Sequence, residues 1–71
     1  MNNKTELETK MVSNIKQIMK NKKVTQKSLA VDLGFSYQMV SLLLSGKRKL
    51  NLGHVESICK SLDVEVFELI V

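Results

Sequence analysis

Between Glu6 and Asn21 the apolar positions fall at Leu7, Met11, Val12, Ile15, Ile18 and Met19. The steps through 7, 11, 15 and 18 trace one helical stripe, so the spacing predicts a first helix from about Glu6 to Asn21. Thr5 stands where it can cap the start. Glu6 and Glu8 in the first turn, with Lys20, Lys22 and Lys23 at the end, complement the helix dipole. A short second helix is expected from Gln26 to Leu33, capped by Thr25, with Leu29, Ala30 and Leu33 inward. Gly34 ends it as a left-handed residue. Ser36 caps a third helix, Tyr37 to Leu44, with Val40 and Leu43 inward, and Ser45-Gly46 stops it. The segment SGKRKL forms a basic loop, and Asn51 caps a fourth helix, Leu52 to Leu62. Its apolar stripe is Leu52, Val55, Ile58, Cys59 and Leu62. The closing VEVFELIV reads two ways. Val64, Val66 and Val71 favour a strand, whereas Glu65 to Leu69 tolerates a turn of helix.

Composition agrees with a helical chain. Its 71 residues include no proline, no tryptophan and only one tyrosine and two phenylalanines, unlike the turn-rich punctuation of β-sandwiches and barrels. A chain of this length is expected to be one domain, 6–71, behind a flexible N-terminus, 1–5; no linker, repeat or low-complexity stretch interrupts it. The net charge is +4 and the pI about 9.4. A basic surplus on a small domain points to an acidic partner, nucleic acid being the commonest. The one cysteine, Cys59, cannot form an internal disulfide, which suggests a reducing compartment and hence the cytoplasm. No apolar run approaches the ~20 residues of a membrane span, and the polar MNNKTELETK is not a signal peptide.

The stretch DLGFSYQMVSLLLSGKRK, residues 32–49, carries the functional argument. Two short helices joined by three or four residues with a glycine form a helix-turn-helix. That geometry needs a small residue where the helices approach (Ala30), a left-handed turn residue (Gly34), and apolar residues locking one helix to the other (Leu29, Leu33, Val40, Leu43). The outward face of the second helix is then Ser36, Tyr37, Gln38 and Ser41, with Leu42 at its edge. Polar and small apolar side chains near a helix N-terminus are what a DNA major groove can engage.

Over residues 7 to about 69 the chain resembles the helix-turn-helix domain of phage repressors and Cro proteins. The marks are Thr25-Gln26, Leu29-Ala30, Leu33-Gly34, Val40-Ser41, Ser45-Gly46-Lys47 and Leu62-Asp63-Val64. The resemblance implies an all-α, lambda-repressor-like fold of four to five helices. It implies base contacts from Ser36, Tyr37, Gln38, Ser41 and Leu42, with Gln38 reading adenine bidentately. Gln26, Ser45, Lys47, Arg48 and Lys49 would meet phosphates. Many relatives carry an arginine late in helix 1 and a glutamate before the Ser/Asn-Gly pair. Met19 and Leu44 stand at those positions, so an apolar contact is expected in place of the ion pair.

Plainer roles exist for several of these residues. Gln26 and Ser36 suit capping regions, and Lys22 and Lys23 complement the dipole. Met11, Met19 and Cys59 fill core positions, with Met39 partly exposed. His54 has no companion ligand, so neither metal nor cofactor is expected. No nucleophile–base pair, Gly-rich phosphate loop or carboxylate pair stands out, so no enzymatic activity is expected.

One recognition helix covers few base pairs. The expected function is therefore a homodimeric transcriptional repressor on double-stranded DNA, two helices entering successive major grooves about 34 Å apart. Leu50, Val66, Ile70 and Val71, with Leu52, would form the dimer interface. A single domain leaves no room for a ligand-sensing or self-cleaving module, so regulation would come from concentration or competition. A phage Cro-like switch, a restriction–modification controller and an antitoxin all fit this pattern. The other class is a protein-interaction module acting through the apolar tail on a toxin or antirepressor.

Overall fold

A computed structural model describes residues 6–71 of the chain. Four α-helices follow one another: α1 (Glu6–Lys22), α2 (Gln26–Leu33), α3 (Tyr37–Ser45) and α4 (Leu52–Leu62). A single 3₁₀ turn, Val66–Leu69, closes the chain. No strand forms among the described residues. The expected Thr5 cap and the 1–5 segment lie outside them.

Each of α2, α3 and α4 begins on a side-chain cap. Thr25 Oγ1 accepts from Ser28 N–H at 3.0 Å, and Ser28 Oγ accepts from Thr25 N–H at 3.1 Å. Ser36 Oγ accepts from Met39 N–H at 3.0 Å. Asn51 Oδ1 accepts from His54 N–H at 2.8 Å, and His54 Nδ1 accepts from Asn51 N–H at 3.3 Å. Reciprocal bonds of this kind satisfy donors that no helical carbonyl can reach. His54 therefore has a local structural role.

All four helices end alike. Lys23, Gly34, Gly46 and Asp63 take positive φ. The next amide, of Val24, Phe35, Lys47 or Val64, bonds back to the carbonyl of Met19, Ala30, Leu42 or Cys59. This is the Schellman closure. At three of these ends the apolar residue that follows (Val24, Phe35, Val64) packs against the core.

The core takes Met11, Ile15 and Met19 from α1, Leu29 and Ala30 from α2, and Val40, Leu43 and Leu44 from α3. Val55, Ile58, Cys59 and Leu62 come from α4, and Leu50 and Leu69 from the connections. Met19 and Leu44 are both interior, where an ion pair would be poorly solvated. Several expected positions differ. The inward stripe of α1 is 11-15-19; Ile18 is half-buried and Leu7 is 54% exposed. Leu7 continues the row of Met11, Ile15 and Met19 but stays exposed in the first turn, and Ile18 packs against the core beside Met19. Leu33 is half-buried and packs against the core, as expected. Leu52 is 81% exposed at the first position of α4, while Leu50, in the extended approach to that helix, is buried, only 9% exposed. Leu50 therefore packs in the core of a single copy.

The tail is a 3₁₀ turn, not a strand. A lone strand here would leave its backbone unpaired. In the turn, Glu68 and Ile70 N–H reach the carbonyls of Glu65 and Phe67, and the Glu68 carboxylate accepts from Glu65 N–H at 2.7 Å. Leu69 is fully buried. Asn14 Nδ2 of α1 donates to the carbonyls of Leu69 and Val71, pinning the tail to α1. Ser61 Oγ donates to Asp32 Oδ2, joining α4 to the end of α2. No single helix among the described residues is long and apolar enough to cross a membrane.

Candidate nucleic-acid interface

The geometry of α2 and α3 follows from three residues. Gly34 at φ 73° ends α2, Phe35 turns inward, and Ser36 caps α3 in an extended conformation. The chain axis turns by 115° across this break, within the range of a helix-turn-helix. Phe35 also meets the His54 ring edge-on, centroids 5.7 Å apart, so the turn is braced against the start of α4. Leu29, Ala30, Val40, Leu43 and Leu44 lie buried between and beneath the two helices.

With that side of α3 consumed by the core, the other side is offered to solvent. Tyr37, Gln38 and Leu42 are exposed and Ser41 is half-buried. Together these four line a shallow, open depression. They fall at i, i+1, i+4 and i+5, one continuous helical face. Ser36 lies at its N-terminal end and Ser45 at its C-terminal end, both exposed. The expected base-reading residues are thus brought together on one surface.

Their polar atoms are largely uncommitted. Tyr37, Gln38 and Ser41 make no side-chain hydrogen bond among the described residues. Ser36 Oγ accepts from Met39 N–H, which leaves its hydroxyl proton free to donate. Ser45 is different: its Oγ–H donates to the Leu42 carbonyl at 3.2 Å. It must give up that bond to donate to a phosphate.

Lys47, Arg48 and Lys49 follow α3 and are all exposed. No ion pair holds them among the described residues. The backbone amides of Gly46, Lys47 and Arg48 are spent on the carbonyls of Leu43 and Leu42. Any anion contact from this loop therefore comes from its side chains. Gln26 is half-buried at the first position of α2, and Lys27 beside it is a further exposed cation. No group of three or more His, Cys, Asp or Glu side chains that could hold a metal occurs among the described residues.

The sequence pattern alone missed three positioning residues. Phe35 and His54 brace the turn, and Asn14 holds the tail. Only Phe35 left a trace in the pattern, as the apolar residue just after a helix-ending glycine, where a Schellman motif seats its hydrophobic contact.

A family model for the Cro/C1-type HTH DNA-binding domain matches residues 14–71. Comparison with curated proteins gives no match, and comparison with solved structures gives none either. The match takes in α2, the turn, α3 and α4 entirely, so the protein belongs to the Cro/C1-type helix-turn-helix DNA-binding family.

Proposed function

We propose that the protein is a sequence-specific transcriptional regulator, a repressor that binds a two-fold symmetric operator as a homodimer. The observation that carries this reading is the outward face of α3. It is polar, its hydrogen-bonding groups are internally unsatisfied, and unpaired cations lie just beyond its C-terminus. In this reading α3 enters the major groove. Gln38 pairs with adenine, and Ser36, Tyr37, Ser41 and Leu42 touch neighbouring base edges. Gln26, Ser45, Lys47, Arg48 and Lys49 grip phosphates and fix the register. The exposed tail residues Val66, Ile70 and Val71 join two copies.

The test is selection of bound duplexes from a random pool, followed by titration of the selected duplex at several salt concentrations. A symmetric consensus with half-sites about one helical turn apart is expected. Lys47→Ala and Arg48→Ala should each weaken binding to all duplexes and reduce the salt slope by about 1. Gln38→Ala should relax sequence preference at one position, at about 1–3 kcal/mol.

A second reading has its own support. Val66, Phe67, Ile70 and Val71 form an exposed apolar tail, a surface that a protein partner could cover. Under that reading the lysine and arginine substitutions leave the principal interaction intact, whereas tail substitutions abolish it.

A further inference from the structure

Helix α3 has the sequence YQMVSLLLS, without one charged residue. The commonest specific contact in the major groove, arginine or lysine on the O6 and N7 of guanine, is not available from this helix. Nor is an acidic side chain for the cytosine amino group. The helix offers one amide (Gln38), small hydroxyls, and an apolar edge. That edge is Leu42, which is 39% exposed although the two leucines after it are interior. Tyr37, Gln38, Ser41 and Leu42 together line the shallow depression on the outward face. An apolar-edged hollow beside an amide fits one base pair better than the others. Adenine takes the amide bidentately, and thymine alone among the DNA bases presents a methyl group in the major groove.

We infer that α3 reads an A·T-containing half-site, with the thymine C5-methyl group seated in the hollow against Leu42 and adenine bound by Gln38. This rests on the regulator reading above and specifies its ligand. Gln38 and Leu42 stand four residues apart on one face, about 6 Å along the helix axis. Base pairs are spaced about 3.4 Å apart, so the adenine and the thymine methyl fall one to two base pairs from each other. The cations of the following loop supply affinity, and the uncharged helix supplies the choice of base.

The experiment uses the intact protein and its selected duplex, with deoxyuridine replacing thymine one position at a time. This removes only the methyl group, and it needs no protein variant. Affinity should fall by about four-fold at the position facing Leu42, the equivalent of one buried methyl. Leu42→Ala should bind the thymine and uracil duplexes equally. Leu42 is outside the core, so that variant should keep the wild-type circular dichroism and melting profile. A consensus with guanine fixed at the α3-facing positions overturns the inference, as does a duplex indifferent to every uracil substitution. In both cases the regulator reading survives, because selective binding has been seen. Failure to enrich any duplex overturns both.

Discussion

Gly34 has a φ of 73°, and a Cβ built there meets nothing within 4 Å. Substitution at this position therefore tests backbone strain free of steric clash. Gly34→Ala should lower stability by about 1–2 kcal/mol, the cost of a left-handed conformation for an L-residue. Gly34→Asn should cost less, because asparagine tolerates that region. Urea unfolding of the two variants checks the order; equal losses would refute the strain account. Cys59 supplies a different test. Burial pushes its thiol above the ordinary value of 9.0, and the carboxylates of Glu65 and Glu68 add to the shift. The folded state thus holds the thiol proton more tightly than the unfolded chain does. The resulting stability is fully present below pH 9.0 and is lost as pH rises through the folded-state value. Stability measured from pH 8 upward should decline less steeply in Cys59→Ala than in the wild type. Thiol reagents should also modify native Cys59 slowly and urea-unfolded Cys59 fast.

At the scale of elements, glycine and caps were legible and tertiary choice was not. Gly34 and Gly46 announced the ends of α2 and α3, and Thr25, Ser36 and Asn51 announced three starts. The ends at Lys23 and Asp63 use the same left-handed closure without a glycine to signal it. For α1, periodicity gave the helix but put Leu7 on its inward stripe. Leu7 lies on the same row as Met11, Ile15 and Met19 yet stays exposed, because burial depends on a packing partner as well as on the period. The 115° turn and the shared face of Tyr37, Gln38, Ser41 and Leu42 could be inferred from the spacing around Gly34. The tail could not be resolved, because its fate depends on Asn14, more than fifty residues away in the chain. Asn14→Ala removes the donor to the Leu69 and Val71 carbonyls. It should cost about 1–2 kcal/mol, between a net hydrogen bond and an unsatisfied carbonyl. Hydrogen exchange at Glu68 and Ile70, the amides of the 3₁₀ turn, should quicken more than exchange in α2 and α3. Uniform acceleration across the chain would show that the tail is part of the global unfolding unit.

For the whole molecule, the question is what the outward apolar surface is for. Leu69 turns into the core, yet Phe67 beside it stays 60% exposed, and Val66, Ile70 and Val71 remain outside with it. Asn14 holds this tail against α1, and Leu7 lies two turns before Asn14 on the same side of that helix. The exposed apolar residues thus lie on the tail and at Leu7, whereas Lys47, Arg48 and Lys49 follow α3. The longest dimension of one copy is 33 Å, about one turn of DNA, and under the proposed function each copy offers one reading helix. Two copies joined through the tail would present two such helices, as a symmetric operator requires. Ile70→Asp tests the join without touching the reading face. Losing one buried isoleucine contact and burying a charge should weaken the dimer by at least about 1.5–3 kcal/mol, roughly ten- to a hundred-fold in dissociation constant. Sedimentation of the wild type should show mass rising toward the dimer with concentration, and the variant should lag behind it. Binding to the full palindrome should weaken in Ile70→Asp, while binding to an isolated half-site should not change. If the wild type stays monomeric at hundreds of micromolar and still selects a palindrome, the tail is not the join; the two copies would then meet only on the DNA.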